Sequence, residues 1–294
     1  MGETKKTFFS YENKLIIIMF FAYGLVWMDR YSVIYLFPFI SKEMALTNTD
    51  LGALMSILAI TWGASSVIFS FLSDKMGSKK LFLVASIFVF SLSTFLSGLA
   101  TVFTTLFILR AVMGVAEGPA IPLIQSTVMA ESSPKRRGFN LAFVLGGAAL
   151  LGKGVTPILT TQIAAQTEWR YAFYTLGGFG ILIAIGLMFF LKEPDVGVAK
   201  KQKPTLADYK IILMNRNIIV AIFAAILYMA FMFSFTTFLP QFLIEIGGYS
   251  EVQSGTILSL FGLILFIWNL VVATTSDKIG RRPTTIIFSF ISCL

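Results

Sequence analysis

The chain has 294 residues, of which 56% are hydrophobic and 13% charged, about half the charge density of an ordinary soluble domain. That balance excludes a water-soluble globular fold. The absence of histidine and a single cysteine, Cys293, exclude an intramolecular disulfide framework and a Cys-rich or His-rich metal site.

Taken in chain order, apolar runs long enough to cross a roughly 30 Å hydrocarbon layer are expected at Lys14 to Ile40, Leu51 to Ser73, Leu81 to Ala100, Phe103 to Ala130, Phe139 to Ala165, Tyr171 to Leu191, Asn217 to Ile246 and Val252 to Ser276. A ninth begins at Pro283 and is cut off at Leu294. The runs are apolar all round rather than alternating, so helices are the spanning element and the fold expected is an all-α membrane protein. The first run is too long for a cleaved signal peptide, and Lys6 stands where a myristoylation string wants Ser or Thr.

Cations concentrate in cytoplasmic loops of membrane proteins. With the N-terminus inside, the cytoplasmic tail and loops collect Lys5, Lys6, Lys14, Lys75, Lys79, Lys80, Lys135, Arg136, Arg137, Lys192, Lys200, Lys201, Lys203, Lys210, Arg216, Lys278, Arg281 and Arg282, and only Lys42 and Arg170 fall outside. Topology in a cell membrane therefore accounts for the net charge of +8, and no nucleic acid or acidic partner is needed.

Three segments are expected: a six-helix bundle over 1–191, a cytoplasmic linker over 192–216, and a partial second bundle over 217–294 holding helices seven, eight and the start of nine. The linker carries Pro194, Pro204 and an amphipathic run, Leu206 to Met214, that reads as a short helix on the inner surface. A charged turn occurs twice: Ser73-Asp74-Lys75-Met76-Gly77-Ser78-Lys79 and Ser276-Asp277-Lys278-Ile279-Gly280-Arg281-Arg282. Each copy ends one span and introduces the next, the mark of a duplicated membrane unit. Gly77 and Gly280 supply the positive φ of a tight turn, and the cations after each carboxylate anchor the loop to the inner leaflet.

The repeated turn resembles the motif between the second and third helices of major facilitator superfamily transporters, with the usual leading glycine replaced by Ser70 and Ala273. Three further features are similar to its anion:cation symporter branch of galactonate and hexuronate carriers: Trp27-Met28-Asp29-Arg30, Arg110 through Glu117-Gly118-Pro119, and Glu168-Trp169-Arg170-Tyr171-Ala172-Phe173. The resemblance implies a two-bundle transporter in which Asp74, Lys75, Gly77, Asp277, Lys278, Gly280 and Arg281 form gating turns. On that resemblance the chain ends inside its ninth helix, three helices short of the family pattern.

Ionisable groups inside spans are costly unless they face a cavity or a partner. Helical rise puts Asp29, Glu117 and Lys153 in one layer, roughly 21 to 24 Å from the cytoplasmic flank, with Arg110 on the face of Glu117 and about 10 Å nearer the outside. Asp29 and Arg30 diverge by about 100° and cannot share a partner, so Arg30 is expected to face the cavity while Asp29 pairs with Lys153 or Arg110. Pro119 and Pro122 should leave carbonyls of Val115 and Gly118 without helical donors. Trp27 and Trp62 reach similar depth, and Tyr228 is expected to join them from the seventh span. Gly114, Gly118, Gly146 and Gly147 read as close helix contacts.

Arg30, Arg110 and Lys153 against Asp29 and Glu117 leave one excess cation, which an anionic substrate would offset. The function expected is proton-coupled symport of a small organic anion such as a sugar acid. Arg30, Trp27, Trp62, Lys153 and Tyr228 would bind substrate, and Asp29, Glu117 and Arg110 would couple the proton, or a sodium ion in its place. A proton-driven drug exporter and a non-transporting fragment are the alternatives. With no nucleotide-binding, metal or nucleophile constellation, neither an enzyme nor a cofactor is expected.

Overall fold

The structure, a computed structural model, describes residues 10–76, 78–193 and 215–291. The amphipathic run Leu206 to Met214 and Gly77 lie outside the described residues, as do the side chains of Asp74, Asp277, Lys278 and Arg281.

Every regular element among the described residues is helical: α1 (Tyr11–Met44), α2 (Asn48–Met76), α3 (Lys79–Ser97), α4 (Phe103–Glu131), α5 (Arg137–Gly147), a π-helical segment (Ala148–Val155), α6 (Thr156–Gln166), α7 (Trp169–Phe190), α8 (Arg216–Glu245), α9 (Glu251–Ile279) and α10 (Arg281–Ile291). Eight stretches are long and apolar enough to cross a membrane, with α5, the π segment and α6 counting as one. The limits of the helices that hold them fall within four residues of the runs expected from hydropathy.

Local chemistry sets several of those limits. The Ser10 side chain accepts from the Asn13 N–H at 3.4 Å and opens α1, which closes on Ala45 in the left-handed region at φ 51°. At the start of α2, Asp50 accepts from the Thr47 N–H at 2.8 Å and its hydroxyl at 2.7 Å, a capping box. Gly280 stands at φ 92° between α9 and α10, a conformation that a side chain would strain, as the turn motif requires.

The π segment was not expected, and its cause is Pro157. That residue has no N–H to give the Lys153 carbonyl, so the helix widens: the Thr156 N–H bonds the Leu151 carbonyl five residues back, and the Thr156 hydroxyl reaches the same oxygen at 2.8 Å.

The innermost helix is α1, which packs on α4, α5, the π segment, α6 and α7. Its packing against the π segment is close: Gly147 meets the Phe20 carbonyl and Gly24, and Gly152 meets Trp27. The crossing of α2 and α4 is likewise built on Gly114 and Gly118, which face Thr61, Ser65 and the Trp62 carbonyl. By contrast, α8 carries Ile219, Val220, Phe223 and Ile226 more than half exposed, an apolar face suited to lipid rather than water.

Helices α8 and α9 pack on α1, α6 and the π segment from the Met44 end down to mid-span. Lys42 pairs with Glu251, Gly255 lies against Thr161 and Pro157, and Gly262 abuts the Lys153 backbone. Toward the opposite end Val67, Ile68 and Met76 of α2 are more than half exposed.

Candidate functional site

Four ionisable side chains expected at mid-span gather in the interior: Asp29 and Arg30 from α1, Arg110 and Glu117 from α4, each no more than 2% exposed. Arg30 donates to Glu117 Oε2 through Nη2 at 2.8 Å and Nε at 3.2 Å. The same guanidinium lies 5.1 Å from the ring centre of Trp27 and 4.8 Å from that of Trp62. Two desolvated cation–π contacts are worth about 2 kcal/mol each, while leaving a buried pair without one partner costs about 3–5 kcal/mol. The rings together and the ion pair therefore hold the guanidinium with comparable strength.

Arg110 corrects one expectation. Its Nη1 donates at 3.1 Å to the backbone carbonyl of Asp29 rather than to the carboxylate, and its Nη2 reaches the Ser32 hydroxyl at 3.4 Å. The Asp29 carboxylate, turned toward Thr94 of α3, is buried with neither oxygen hydrogen-bonded to protein. Nor does Lys153 pair with it. The physical reason is the 100° step along α1: the π segment packs on the Gly24 and Trp27 face, while Asp29 faces α3 and α4. Lys153 stands instead 5.7 Å from the ring centre of Tyr31.

Tyr228 is a second correction. It is 60% exposed on α8 and takes no part in the hydrogen bonds or ring contacts that join the cluster. It sits in the stretch of α8 that lacks buried neighbours, so nothing directs its ring inward.

Helix α4 runs unbroken through Pro119 and Pro122, and just before them the Ser65 hydroxyl donates to the Gly114 carbonyl at 3.2 Å. Several polar atoms around the cluster make no close hydrogen bond among the described residues: Glu117 Oε1, both Asp29 oxygens, the indole N–H groups of Trp27 and Trp62, and the Tyr31 hydroxyl. Such a shell offers both donors and acceptors to a polar guest.

Sequence reasoning missed the Arg30–Glu117 pair itself, the role of Ser32, and the π segment. The last had a legible signal: a lysine between two glycines, four residues before a proline, inside an apolar run. Of the two charged turns, Lys75 is exposed at the end of α2 and Gly280 takes the expected left-handed turn.

The Glu168-Trp169-Arg170 run is a clasp between α7 and α1. Glu43 accepts from Trp169 Nε1 at 2.7 Å and from Arg170 Nη1 and Nη2 at 2.9 and 2.7 Å. At the other end of α1, Glu12 accepts from the Ser133 N–H and hydroxyl, both at 3.1 Å, and from Asn140 at 2.9 Å.

Residues 19–294 match the family model described as Major Facilitator Superfamily. A probable sulfoacetate transporter of Cupriavidus necator is 30% identical over 184 residues, 62% of this chain and 42% of that protein. The hexuronate transporter of Bacillus subtilis is 26% identical over 284 residues, 93% of this chain and 67% of that protein. The quinolone resistance protein NorA of Staphylococcus aureus is 27% identical over 185 residues, 62% of this chain and 46% of that protein. Among solved structures, a bacterial homologue of the human lysosomal transporter Spinster aligns with TM-score 0.77 at 16% identity, over 94% of this chain and 64% of that one. The chain thus spans less than half of two of these relatives and about two thirds of the others. By the family model that covers most of its length, and by a fold of the same kind, this chain is a multi-pass membrane protein and belongs to the major facilitator superfamily.

Proposed function

We propose that the protein is a proton-coupled symporter of a small organic anion such as a sugar acid, working by alternating access in a cell membrane with its N-terminus in the cytoplasm. The observation that carries this reading is the Arg30 guanidinium, buried between Trp27 and Trp62 and tied to Glu117. Arg30 can present a planar fork to a carboxylate once Glu117 releases it, and protonation of Glu117 is the event that releases it. Asp29, unpaired two helix faces away, is the second carboxylate able to take up a proton, and Arg110 senses both. Helices 1–191 and 217–294 would be the rocking units, joined by the 192–216 linker.

The contact at the Met44 end, Lys42 with Glu251, and the packing of Gly255 on Thr161 support a state closed on that side. On the topology given by the Lys and Arg bias, that side is the outside. The names of the sulfoacetate and hexuronate relatives support an anionic cargo.

Uptake by the complete protein in proteoliposomes tests the reading. Accumulation of a labelled sugar acid driven by an inward proton gradient, and lost in Arg30→Ala, is expected. Gradient-independent uptake, or normal transport by Arg30→Ala, would overturn it. Likeness to NorA and the indole pair favour one other reading, a proton-driven drug exporter. Three interior cations would repel lipophilic cations, and competition by dyes rather than carboxylates is the outcome that would prefer it.

A further inference from the structure

Among the described residues, the charges inside the bundle do not cancel. Arg30 is neutralised by Glu117, and Arg110 lies within the field of Asp29 and Glu117. Lys153 has no ion pair and no hydrogen bond among the described residues; its ammonium rests only on the Tyr31 ring. It also lines a small cavity of about 20 Å³ with Tyr35 of α1, Phe235, Thr236 and Leu239 of α8, and Leu258 and Phe261 of α9. Tyr31, in turn, meets Trp27 with ring centres 5.6 Å apart and planes tilted by 38°, and Trp27 covers Arg30. Two cations are thus joined through two aromatic rings on one face of α1.

From this arrangement we infer that the substrate carries two anionic groups, one held by Arg30 and the other by Lys153. The inference rests on the proton-symport reading above. A monoanion on Lys153 would balance the interior while Glu117 stays ionised, and no proton would be required. Once Glu117 takes a proton, Arg30 is left buried without a counter-charge, an unfavourable condition that a second anionic group relieves. A dianion and one proton restore neutrality together.

The backbone around Lys153 suits an anchor at a seam. Pro157 has no N–H to offer the Lys153 carbonyl, the next N–H, that of Ile158, donates to the Ser259 hydroxyl of α9 at 2.9 Å, and Gly262 of α9 packs directly on the Lys153 backbone. An anionic group at Lys153 would therefore sit beneath the contact between α9 and the π segment, where occupancy bears on closure.

A matched pair of probes tests the inference in the complete protein: glucarate, with a carboxylate at each end, and gluconate, with the same hydroxyl chain and one carboxylate. Wild-type protein should transport glucarate in preference to gluconate. Lys153→Gln should lower the glucarate-to-gluconate ratio at least tenfold, and Lys153→Arg should restore it. Lys153→Met, with thermal melting in detergent recorded for all three, separates lost charge from lost fold. A ratio unchanged in folded Lys153→Gln, or a wild type that moves gluconate alone, overturns the inference and leaves the anion-symport reading standing. Transport of neither probe nor any other organic anion removes both.

Discussion

Two arginine–carboxylate pairs in this molecule have the same chemistry and opposite settings. Glu43 and Arg170 meet at the end of α1 with bidentate geometry, a third donor from Trp169, and about half of the glutamate side chain in solvent. Glu117 and Arg30 meet in the interior, where one carboxylate oxygen takes both arginine donors and the other takes none. The outer pair is satisfied and is worth little, because water screens it and would replace either partner. The inner pair is incompletely satisfied and consequential, because nothing in a lipid-embedded bundle replaces a lost partner except a proton or a ligand. The comparison separates a screened pair from a buried one: both hold helices, but only the second leaves a carboxylate oxygen, Glu117 Oε1, without a hydrogen bond among the described residues.

The largest expected effect comes from breaking the inner pair on the arginine side. Arg30→Ala leaves Glu117 buried without its cation and the two indoles without their guest. We expect substrate uptake in proteoliposomes to fall at least 100-fold, with a stability loss of about 3–5 kcal/mol read by detergent unfolding. Next is Glu117→Gln, which keeps a hydrogen-bond acceptor for Arg30 but removes the charge. Exchange of substrate across the membrane should persist, while accumulation driven by a proton gradient should disappear; gradient-driven accumulation equal to wild type would remove Glu117 from the coupling step.

Packing near the same site gives a smaller effect. A side chain at Gly118 would collide with Ser65 and the Trp62 carbonyl, so Gly118→Leu should cost about 1–3 kcal/mol and displace Trp62 from Arg30. Loss of the Trp62 fluorescence change on adding substrate is the accompanying signature. The smallest effect is expected at the clasp: Glu43→Gln should lower stability by about 0.5 kcal/mol and leave proton-driven uptake intact. A Glu43→Gln defect as large as that of Glu117→Gln would erase the distinction between the two pairs.

Much of this fold was legible along the chain because a spanning helix needs about twenty apolar residues and must satisfy its own backbone. Length and hydropathy therefore found each span without reference to its neighbours. The depth of the interior charges followed from rise per residue, and Arg30 and Glu117 indeed stand at a common level. What hydropathy could not supply was direction around each helix. Asp29 was expected to meet Lys153, yet the two leave α1 on different faces, and Arg110 chose a carbonyl over a carboxylate. Tyr228 had the right depth and the wrong surroundings.

By itself the sequence determined that this is a helical membrane protein, where its helices begin and end, and which few residues bring charge into lipid. Each of those properties depends on local composition and on a single helix at a time. The tertiary structure alone decided which charges meet, that Glu117 rather than Asp29 holds an arginine through its side chain, and that Lys153 is left uncompensated on a π turn against Gly262. Those outcomes depend on how helices are rotated and how closely glycines let them approach, and rotation is set by packing between segments far apart in the chain.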